Sequence, residues 1–491
     1  MTKRHLVSGL AAFAAAGMIG AAQQAPPAPA QPASKAVVIK GRAPVSNEIL
    51  KVTLPRPHEA DLPNGAHLMV LEDHRVPQIV FQIVIGGAGG YVDPADSPGL
   101  ASITATMMRE GTSAKNTAQI SEQLERLAST VTVATGLASL DATISGSTLT
   151  ENFGETFKLA ADLLLNPTFP DEELQRYKQR TRSGLVQQRA NAGFLASEMF
   201  SRVIYSTHPA SRVSLTLPVL DKVTRAQLVD FHHARYVPDH AIIAISGDIT
   251  MAAARSAIDS ALGTWKKGNT PAATAQDPPP LGVPRIYFVA RPGSVQTNII
   301  VGTQAIDRLA PDYDRVQVMN EVIGAGPTGR LFVILREEKG YTYGAYSGLT
   351  ATRFRGNWSA NTEVRTEVTD DALRDLLAEV KRLRDEPVPD KELQDKKRGL
   401  ISRFALSLES PQTVLQNHVS LRTYKLPVDY WDKYPERVSA VTQADVQAAA
   451  KKYLDPSRLQ IVIVGDPKIG DLLKKYGTVE TYDVDGKRIG G

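Results

Sequence analysis

An internal repeat constrains this chain more than any other feature of its sequence. Residues 166–175 have a counterpart at residues 386–394, and residues 224–248 have a counterpart at residues 442–466. The two pairs are offset by 218 or 219 residues, and the second pair ends in Gly-Asp in both copies. Two matches at nearly the same offset indicate a tandem duplication, so we expect two copies of one folding unit.

Each copy alternates between strand and helix patterns, which predicts an α+β unit. Stretches rich in Val, Ile and Leu at residues 66–72 and 78–85 predict two strands, and their closeness along the chain favours a hairpin or meander. Further strands are expected near residues 131–145 and 241–246. Helices are expected at residues 117–128, 152–165, 171–190 and 224–236.

The segment at residues 98–112 predicts a short helix in the core of the first copy. Ser97 and Pro98 favour a helix start, because a hydroxyl can cap the first turn and proline fits there, and Gly111 favours the end. One apolar stripe at helical spacing contains Leu100, Ile103 and Met107. This stripe is expected to be buried.

The frame of this helix resembles the active-site helix of the pitrilysin/insulinase-like (M16) zinc peptidases. The shared pattern is Gly-Leu-Ala, five variable positions, Met, three further positions, and Gly-Thr. In the family the five positions read His-x-x-Glu-His, where the histidines hold zinc and the glutamate activates bound water. Here Ser102, Ala105 and Thr106 take those places. The resemblance implies a degenerate zinc motif, with a shallow, mildly polar pocket in place of the larger side chains.

The remaining zinc ligand of the family is missing as well. The resemblance places this glutamate further along, in a long helix that corresponds to residues 171–191, yet no Asp or Glu occurs from residue 174 to residue 197. We therefore expect no metal and no other cofactor in this chain. The histidines of the first copy are expected to lie at the surface or to be hydrogen-bonded in place: His232, His233 and His240.

The second copy contains a glycine-rich stretch at residues 324–329, a predicted helix at about residues 328–338, a stop at Gly340 and a tyrosine-rich strand. This segment resembles the M16 segment whose arginine and tyrosine, with six residues between them, reach the substrate opposite the zinc. Arg336 and Tyr343 have this spacing. A guanidinium and a phenol can hydrogen-bond a peptide carbonyl and stabilise the oxyanion formed from it. The resemblance implies an auxiliary, substrate-binding role for the pair.

Two alternatives remain open at this segment. Arg336 could pair with a carboxylate at the helix end while Tyr343 packs into the sheet, so that both residues are structural only. If the register of the resemblance differs, Tyr341 or Tyr346 could take the place of Tyr343.

Together with the duplication, the resemblance implies an α+β fold of two tandem M16-type domains, each a mixed sheet packed with helices, that form half of a clamshell. The implied function is the zinc-free subunit of a two-chain peptidase. A zinc-bearing M16 homologue would supply His-x-x-Glu-His in a heterodimer, and this chain would close the chamber around peptide substrates. The alternative, from a different functional class, is a catalytically inert scaffold or peptide-binding protein.

The N-terminus indicates where such a chain works. Residues 1–22 have a basic start, an apolar run and a small-residue end, which predicts a secretory signal peptide, with an N-terminal membrane anchor as the alternative. A Pro/Ala-rich segment at residues 23–45 is expected to be a disordered spacer. Export, to a bacterial periplasm, is the expected destination.

Composition and the repeat define the remaining boundaries. We expect domains at residues 46–267 and 285–470, a Pro-rich linker at 268–284 and a C-terminal tail at 471–491. The absence of cysteine excludes disulfides, and a formal net charge of only +4 gives no indication of a nucleic-acid partner. After cleavage of the leader, no stretch is long and apolar enough to cross a membrane.

Overall fold

Two mixed β-sheets, each packed with helices, organise the chain from residue 58 onward. The structure, a computed structural model, describes residues 48–490. The predicted signal peptide and spacer, residues 1–45, lie outside the described residues. No helix between residues 48 and 490 is both long and apolar enough to span a membrane.

The first half builds a six-stranded sheet with the order β1-β2-β6-β3-β5-β4. Its strands are β1 (His58–Asp61), β2 (His67–Glu72), β3 (Gln78–Gly86), β4 (Thr130–Ala134), β5 (Asp141–Leu149) and β6 (Ala241–Gly247). Its helices are α1 (Leu100–Met107), α2 (Thr117–Arg126), α3 (Phe153–Leu165), α4 (Asp171–Arg189), α5 (Ala192–Tyr205), α6 (Leu217–Lys222), α7 (Arg225–Arg235) and α8 (Met251–Leu262).

The second half builds a seven-stranded sheet with the order β13-β12-β7-β11-β8-β10-β9. Its strands are β7 (Ile286–Ala290), β8 (Gln296–Gln304), β9 (Thr342–Leu349), β10 (Asn357–Arg365), β11 (Gln460–Gly465), β12 (Val479–Tyr482) and β13 (Arg488–Gly490). Its helices are α9 (Tyr313–Ile323), α10 (Arg330–Phe332), α11 (Thr369–Asp385), α12 (Asp390–Ser407), α13 (Pro411–Thr423), α14 (Tyr434–Ala440), α15 (Gln443–Tyr453) and α16 (Gly470–Leu473). A π-helix, Val333–Glu338, continues α10.

The two sheets share one topology, as the internal repeat predicts. The strands β2, β6, β3, β5 and β4 have the same neighbours and relative directions as β7, β11, β8, β10 and β9. The repeat extends to side chains. Lys178 Nζ on α4 donates to the Val223 carbonyl at 2.6 Å, and Lys397 Nζ on α12 donates to the Val441 carbonyl at 3.0 Å. The expected α+β fold with two tandem mixed sheets is confirmed.

The prediction that β2 and β3 pair with each other as a hairpin or meander is wrong. β6 lies between β2 and β3, parallel to the first and antiparallel to the second. In the second half β11 separates β7 from β8 in the same way. β6 and β11 are apolar along nearly their whole length and largely buried, so each takes a central place in its sheet, and local spacing alone cannot reveal this insertion.

The linker and the C-terminal segment are both attached to the folded body. Residues 268–284 contain no helix or strand, yet Gly268 N donates to Asp239 Oδ2 at 2.6 Å. Further along the linker, Gln304 Nε2 donates to the Pro279 carbonyl at 2.6 Å. The segment predicted as a C-terminal tail adds β12 and β13 to the second sheet.

Each half also covers part of the sheet of the other half. α5 of the first half packs Leu195 and Met199 against the second sheet, at Val462 and Val464 of β11. α13 of the second half covers the first sheet in return, and its cluster contains Met69, Val80, Val84, Ala244, Leu415 and Val419. α5 and α13 are separated by the repeat offset, so they are equivalent helices of the two copies. Each copy therefore packs the same helix on the sheet of the other copy.

A ring cluster and an ion pair join the halves beside these helices. Phe354 of the second half stacks on Tyr91 of the first, with ring centroids 5.9 Å apart, and packs on His208 at 4.5 Å. The neighbouring Arg353 makes a bidentate pair with Asp141 of β5, at 3.1 and 2.6 Å. Burial of these groups ties the two halves together near the linker.

Phe354→Ala tests this junction. We expect a loss of about 3 kcal/mol in the free energy of unfolding, because a buried ring is replaced by a cavity. Urea unfolding measures the loss, and limited proteolysis should show faster cleavage within residues 268–284. Phe404→Ala, which removes a ring that packs on Trp431 within the second half, is the control. Equal linker cleavage in both variants would contradict a specific role of Phe354 at the junction.

Candidate functional site

The degenerate motif lies on α1, beside the edge strand β4 of the first sheet. Ile103 and Met107 are buried in the first core, as the helical stripe predicts. Ser102 is half-buried and Thr106 is exposed, and the Thr106 hydroxyl donates to the Ser102 carbonyl at 2.9 Å. Ala105 is fully buried, so it adds nothing to the surface where the shallow pocket is expected.

The start of α1 is held by a different residue from the expected one. Asp93 accepts hydrogen bonds from the backbone N–H of Gly99 at 2.5 Å and of Ala101 at 2.8 Å. The Ser97 hydroxyl does not cap the helix and instead accepts a hydrogen bond from Gln227 at 3.4 Å. Burial raises the pKa of Asp93 to about 6, against the lowering effects of the two N–H donors and of Arg212.

The described residues offer no alternative metal site in place of the degenerate motif. No group of three or more His, Cys, Asp or Glu side chains between residues 48 and 490 is arranged to hold a metal ion. The buried His232 instead bonds through Nε2 to the Leu164 carbonyl at 2.7 Å, and burial lowers the pKa of its imidazole to about 4. His240 bonds through Nε2 to the Thr270 carbonyl at 2.9 Å.

Arg336 lies in the π-helix that follows α10. Its side chain is 44% exposed, pairs with Glu337 at 2.5 Å, and lies over the Phe332 ring at 5.6 Å. The carboxylate partner considered from the sequence is therefore present. An exposed ion pair of this kind contributes about 0 to 1 kcal/mol, so Arg336 can exchange Glu337 for another acceptor at little cost.

Tyr343 lies on β9, the edge strand of the second sheet, and is 92% exposed. Because its side chain is so exposed, Tyr343 does not pack into the sheet, and its hydroxyl makes no hydrogen bond to another residue in the described part of the chain. The two spare tyrosines have local partners. The Tyr341 hydroxyl lies 3.5 Å from Asp375, and the Tyr346 ring packs on Phe332 at 5.5 Å.

The degenerate motif on α1 and the pair Arg336 and Tyr343 lie in different halves, at similar positions relative to their sheets. α1 lies beside β4, and Tyr343 belongs to β9, and these strands are equivalent edges of the two repeated sheets. Within residues 48–490, no hydrogen bond joins Arg336 to Tyr343 or either of them to Ser102 and Thr106. An edge strand offers unpaired backbone N–H and C=O groups to an added strand.

A buried charge cluster under the π-helix was missed from the sequence. Arg330 on α10 is buried and makes a bidentate pair with Glu392 of α12, with both distances at 2.8 Å. Lys396, one turn along α12, donates to Thr328 Oγ1 at 3.0 Å. These contacts fix the glycine-rich loop and the start of the helix that carries Arg336. The sequence offers only Arg330, next to the glycine-rich stretch, as a signal for this cluster.

Comparison with known proteins identifies the family. Residues 68–214 match the family model described as Insulinase (Peptidase family M16), and residues 222–400 match the one described as Peptidase M16 inactive domain. The chain belongs to the M16 peptidase family, as the frame around α1 implies. The match to the inactive-domain model begins at the end of α6 in the first half and ends within α12 of the second.

This chain is similar both to a protein named as a zinc protease and to one named as a non-peptidase homolog. The uncharacterized zinc protease YmxG of Bacillus subtilis is 23% identical over 375 residues, which cover 72% of this chain and 85% of the relative. The protein named non-peptidase homolog YmxG of Helicobacter pylori is 20% identical over 410 residues, which cover 81% of this chain and 91% of the relative.

Solved structures give the same fold. A peptidase M16 inactive domain from Pseudomonas fluorescens has a TM-score of 0.78 and 28% identity, covering 84% of this chain and 98% of that one. The periplasmic protease PqqL from Escherichia coli has a TM-score of 0.71 and 17% identity, covering 85% of this chain but 46% of PqqL. This chain therefore corresponds in fold to about half of the PqqL chain.

We expect the free energy of unfolding to depend on pH through the Asp93 carboxylate, and Asp93→Asn should remove this dependence. The folded-state pKa of about 6 lies above the ordinary value of 3.8, so the folded protein holds the proton more tightly. The resulting stabilisation is complete below pH 4 and is lost as the pH rises through 6. Relative to Asp93→Asn, the wild-type free energy of unfolding should fall by about 2 to 3 kcal/mol across this window. Urea titrations at pH 4 and 7 measure it, and a rise instead would show that the two N–H donors dominate.

The degenerate motif predicts that the wild-type chain does not bind zinc and that histidines restored on α1 change this. The wild-type chain should contain far less than one zinc per molecule, because the three motif positions hold no ligand. Ser102→His combined with Thr106→His should bind zinc only weakly and with free zinc in the buffer, since both positions reach the surface one turn apart on α1 but no third ligand is present. Metal analysis after dialysis against buffer with and without free zinc measures both. Stoichiometric zinc in the wild type, removed by a chelator together with peptidase activity, would contradict a zinc-free chain.

Proposed function

We propose that this chain is the zinc-free subunit of a two-chain M16 peptidase. A separate M16 chain supplies zinc and its catalytic glutamate. This chain closes the chamber and presents Arg336 and Tyr343 to the peptide substrate. The proposed place of action is the bacterial periplasm, in line with the predicted leader at residues 1–22 and with a structural neighbour described as a periplasmic protease.

The proposal rests on the contrast between the two predicted parts of the site. The motif on α1 carries no side chain that can bind zinc or activate water. Arg336 and Tyr343, in contrast, are accessible on the second half, and the Tyr343 hydroxyl has no partner among the described residues. A free phenol and a weakly held guanidinium are suited to a substrate carbonyl and to the negative charge that develops on it.

The fold supports an extended peptide as the substrate. β4 and β9 are the edges of their sheets on the sides where the two parts of the site lie. A peptide added to such an edge has its backbone hydrogen bonds satisfied along its length, independent of its sequence. The proposed role of Tyr343 is to bond a carbonyl of a peptide held at this edge.

A longer protein of the same fold is compatible with a partner of this kind. The Escherichia coli protease PqqL, with the same fold, has slightly less than half of its chain matched by this one. The proposed partner is likewise a separate M16 chain of about the size of this one.

Arg336→Ala and Tyr343→Phe test the proposed role in the pair of chains. Removal of one donor to a developing oxyanion typically lowers turnover about 100-fold, so Arg336→Ala should lower kcat/KM of the reconstituted peptidase by roughly that factor. Tyr343→Phe keeps the ring and loses only the hydroxyl, and should lower kcat by at least about tenfold.

The neighbouring tyrosine provides the matched control. Tyr341→Phe removes the same hydroxyl two residues before Tyr343, where it lies 3.5 Å from Asp375, so kcat/KM should stay within about twofold of wild type. Unchanged turnover in Arg336→Ala and Tyr343→Phe would remove the catalytic contribution from the proposal. Equal loss in all three variants would indicate damage to β9 rather than loss of a substrate contact.

One comparison favours the alternative of an inert scaffold or peptide-binding protein. The Helicobacter pylori relative, which matches over 81% of this chain, carries the name non-peptidase homolog. In that case the chain would capture peptides without a zinc-bearing partner. Peptide binding by the purified chain, together with no increase in cleavage when any M16 partner is added, would support this alternative.

A further inference from the structure

α5 covers only part of the outer face of the second sheet. It packs on β11 and β8, and beyond it a groove of about 650 Å³ runs over β8, β10 and β9. The N-terminal part of α5 forms one wall, which includes Gly193, Ser197 and Phe200. Tyr343 and Tyr346 lie at the opposite side of the groove.

Uncharged polar side chains dominate the floor of this groove. On β10 the residues that point away from the core are Asn357, Ser359, Asn361 and Glu363, with Trp358, Ala360 and Val364 buried on the opposite face. Gln296 and Asn298 on β8 extend the same surface. Glu363 is the single charged residue in the lining.

Several of these groups have hydrogen-bonding capacity to spare. The side chains of Ser359, Asn361 and Glu363 make no hydrogen bond to another residue in the described part of the chain. Asn298 Nδ2 is buried and lacks a partner. The accessible Ser359 and Asn361 side chains can therefore donate to a ligand or accept from it, while Glu363 can only accept.

Cross-strand pairing arranges these groups in rows across the sheet. Asn361 lies between Ile300 of β8 and Tyr346 of β9, and Glu363 lies opposite Asn298. Gly344 leaves room for the Tyr346 ring, because a Cβ there would lie 2.6 Å from a ring carbon. The surface therefore combines amides, a hydroxyl and aromatic rings at neighbouring positions.

We propose that this groove binds an extended peptide segment with uncharged side chains and discriminates against Asp and Glu. Asn and Gln side chains both donate and accept, which matches the alternating C=O and N–H groups of a peptide backbone. A carboxylate in the ligand finds no cation in the lining and is repelled by Glu363, so its binding is weaker. The groove ends at Tyr343, so this proposal rests on the proposed function and adds a substrate preference to it.

The test uses the purified full chain without a partner. Three fluorescent 12-residue peptides share one neutral sequence rich in Ser, Asn, Gly and Val, and two of them carry either two Glu or two Lys in the centre. Fluorescence anisotropy gives the three dissociation constants. We expect the Glu peptide to bind about tenfold more weakly than the neutral peptide, the effect of roughly one unfavourable charge contact.

Two variants assign the preference to the groove. Asn361→Asp adds a carboxylate at nearly constant shape beside Glu363 and should make the Lys peptide the tightest binder. Ser197→Trp fills the groove from α5 and should weaken all three peptides at least tenfold. Their controls are Gln394→Glu, an exposed amide on α12, and Ser183→Trp, an exposed helical serine that bonds to the carbonyl four residues earlier as Ser197 does. Both controls should behave as wild type.

Three results would overturn the proposal. One is no binding of any peptide up to about 1 mM, which corresponds to less than about 4 kcal/mol of affinity. Another is equal affinity for the neutral and Glu peptides. The third is unchanged affinity for all three peptides in Ser197→Trp, which would place the binding site outside the groove. Turnover by the reconstituted pair in Arg336→Ala is measured separately, so failure of the groove and failure of the catalytic role give different results.

Discussion

The structure depends on the reciprocal burial of each β-sheet by a helix from the other half. α5 covers part of the second sheet and α13 covers part of the first, and both interfaces are built from apolar side chains. Neither sheet is completely covered by its own helices, so the two copies need each other to bury their apolar faces. The Asp141–Arg353 pair and the ring cluster at Phe354 join the same interface at its end. The two related halves therefore form one compact body.

The same arrangement determines where ligands can approach. Each exchanged helix covers only part of a sheet, which leaves the edges β4 and β9 and the polar floor over β10 accessible. The degenerate helix α1 lies beside the first edge, and Tyr343 belongs to the second. One chain therefore has an accessible polar surface in its second half and a motif without metal ligands in its first. Such a division of parts fits a subunit whose metal chemistry is supplied by another chain.

The overall fold and the degenerate motif could be predicted from the sequence, because the repeat and the frame around α1 are both recognisable as patterns of residues. The offset predicted two equivalent sheets, and helical spacing predicted the buried stripe of Ile103 and Met107. Tertiary features escaped prediction. The insertion of β6 between β2 and β3, the cap from Asp93 and the Arg330–Glu392 pair each join residues that are distant in sequence or share no recognisable spacing. The exposure of Tyr343 also depends on the edge position of its strand.

The most direct test of the account is what the chain assembles with in its native cell. A tagged copy is purified under mild conditions from the cell envelope, and mass spectrometry identifies the proteins recovered in equal amount. The account predicts a second M16 chain that carries His-x-x-Glu-His, together with zinc-dependent peptidase activity of the complex. Recovery of this chain alone, or with unrelated proteins and no such activity, would contradict a two-chain peptidase.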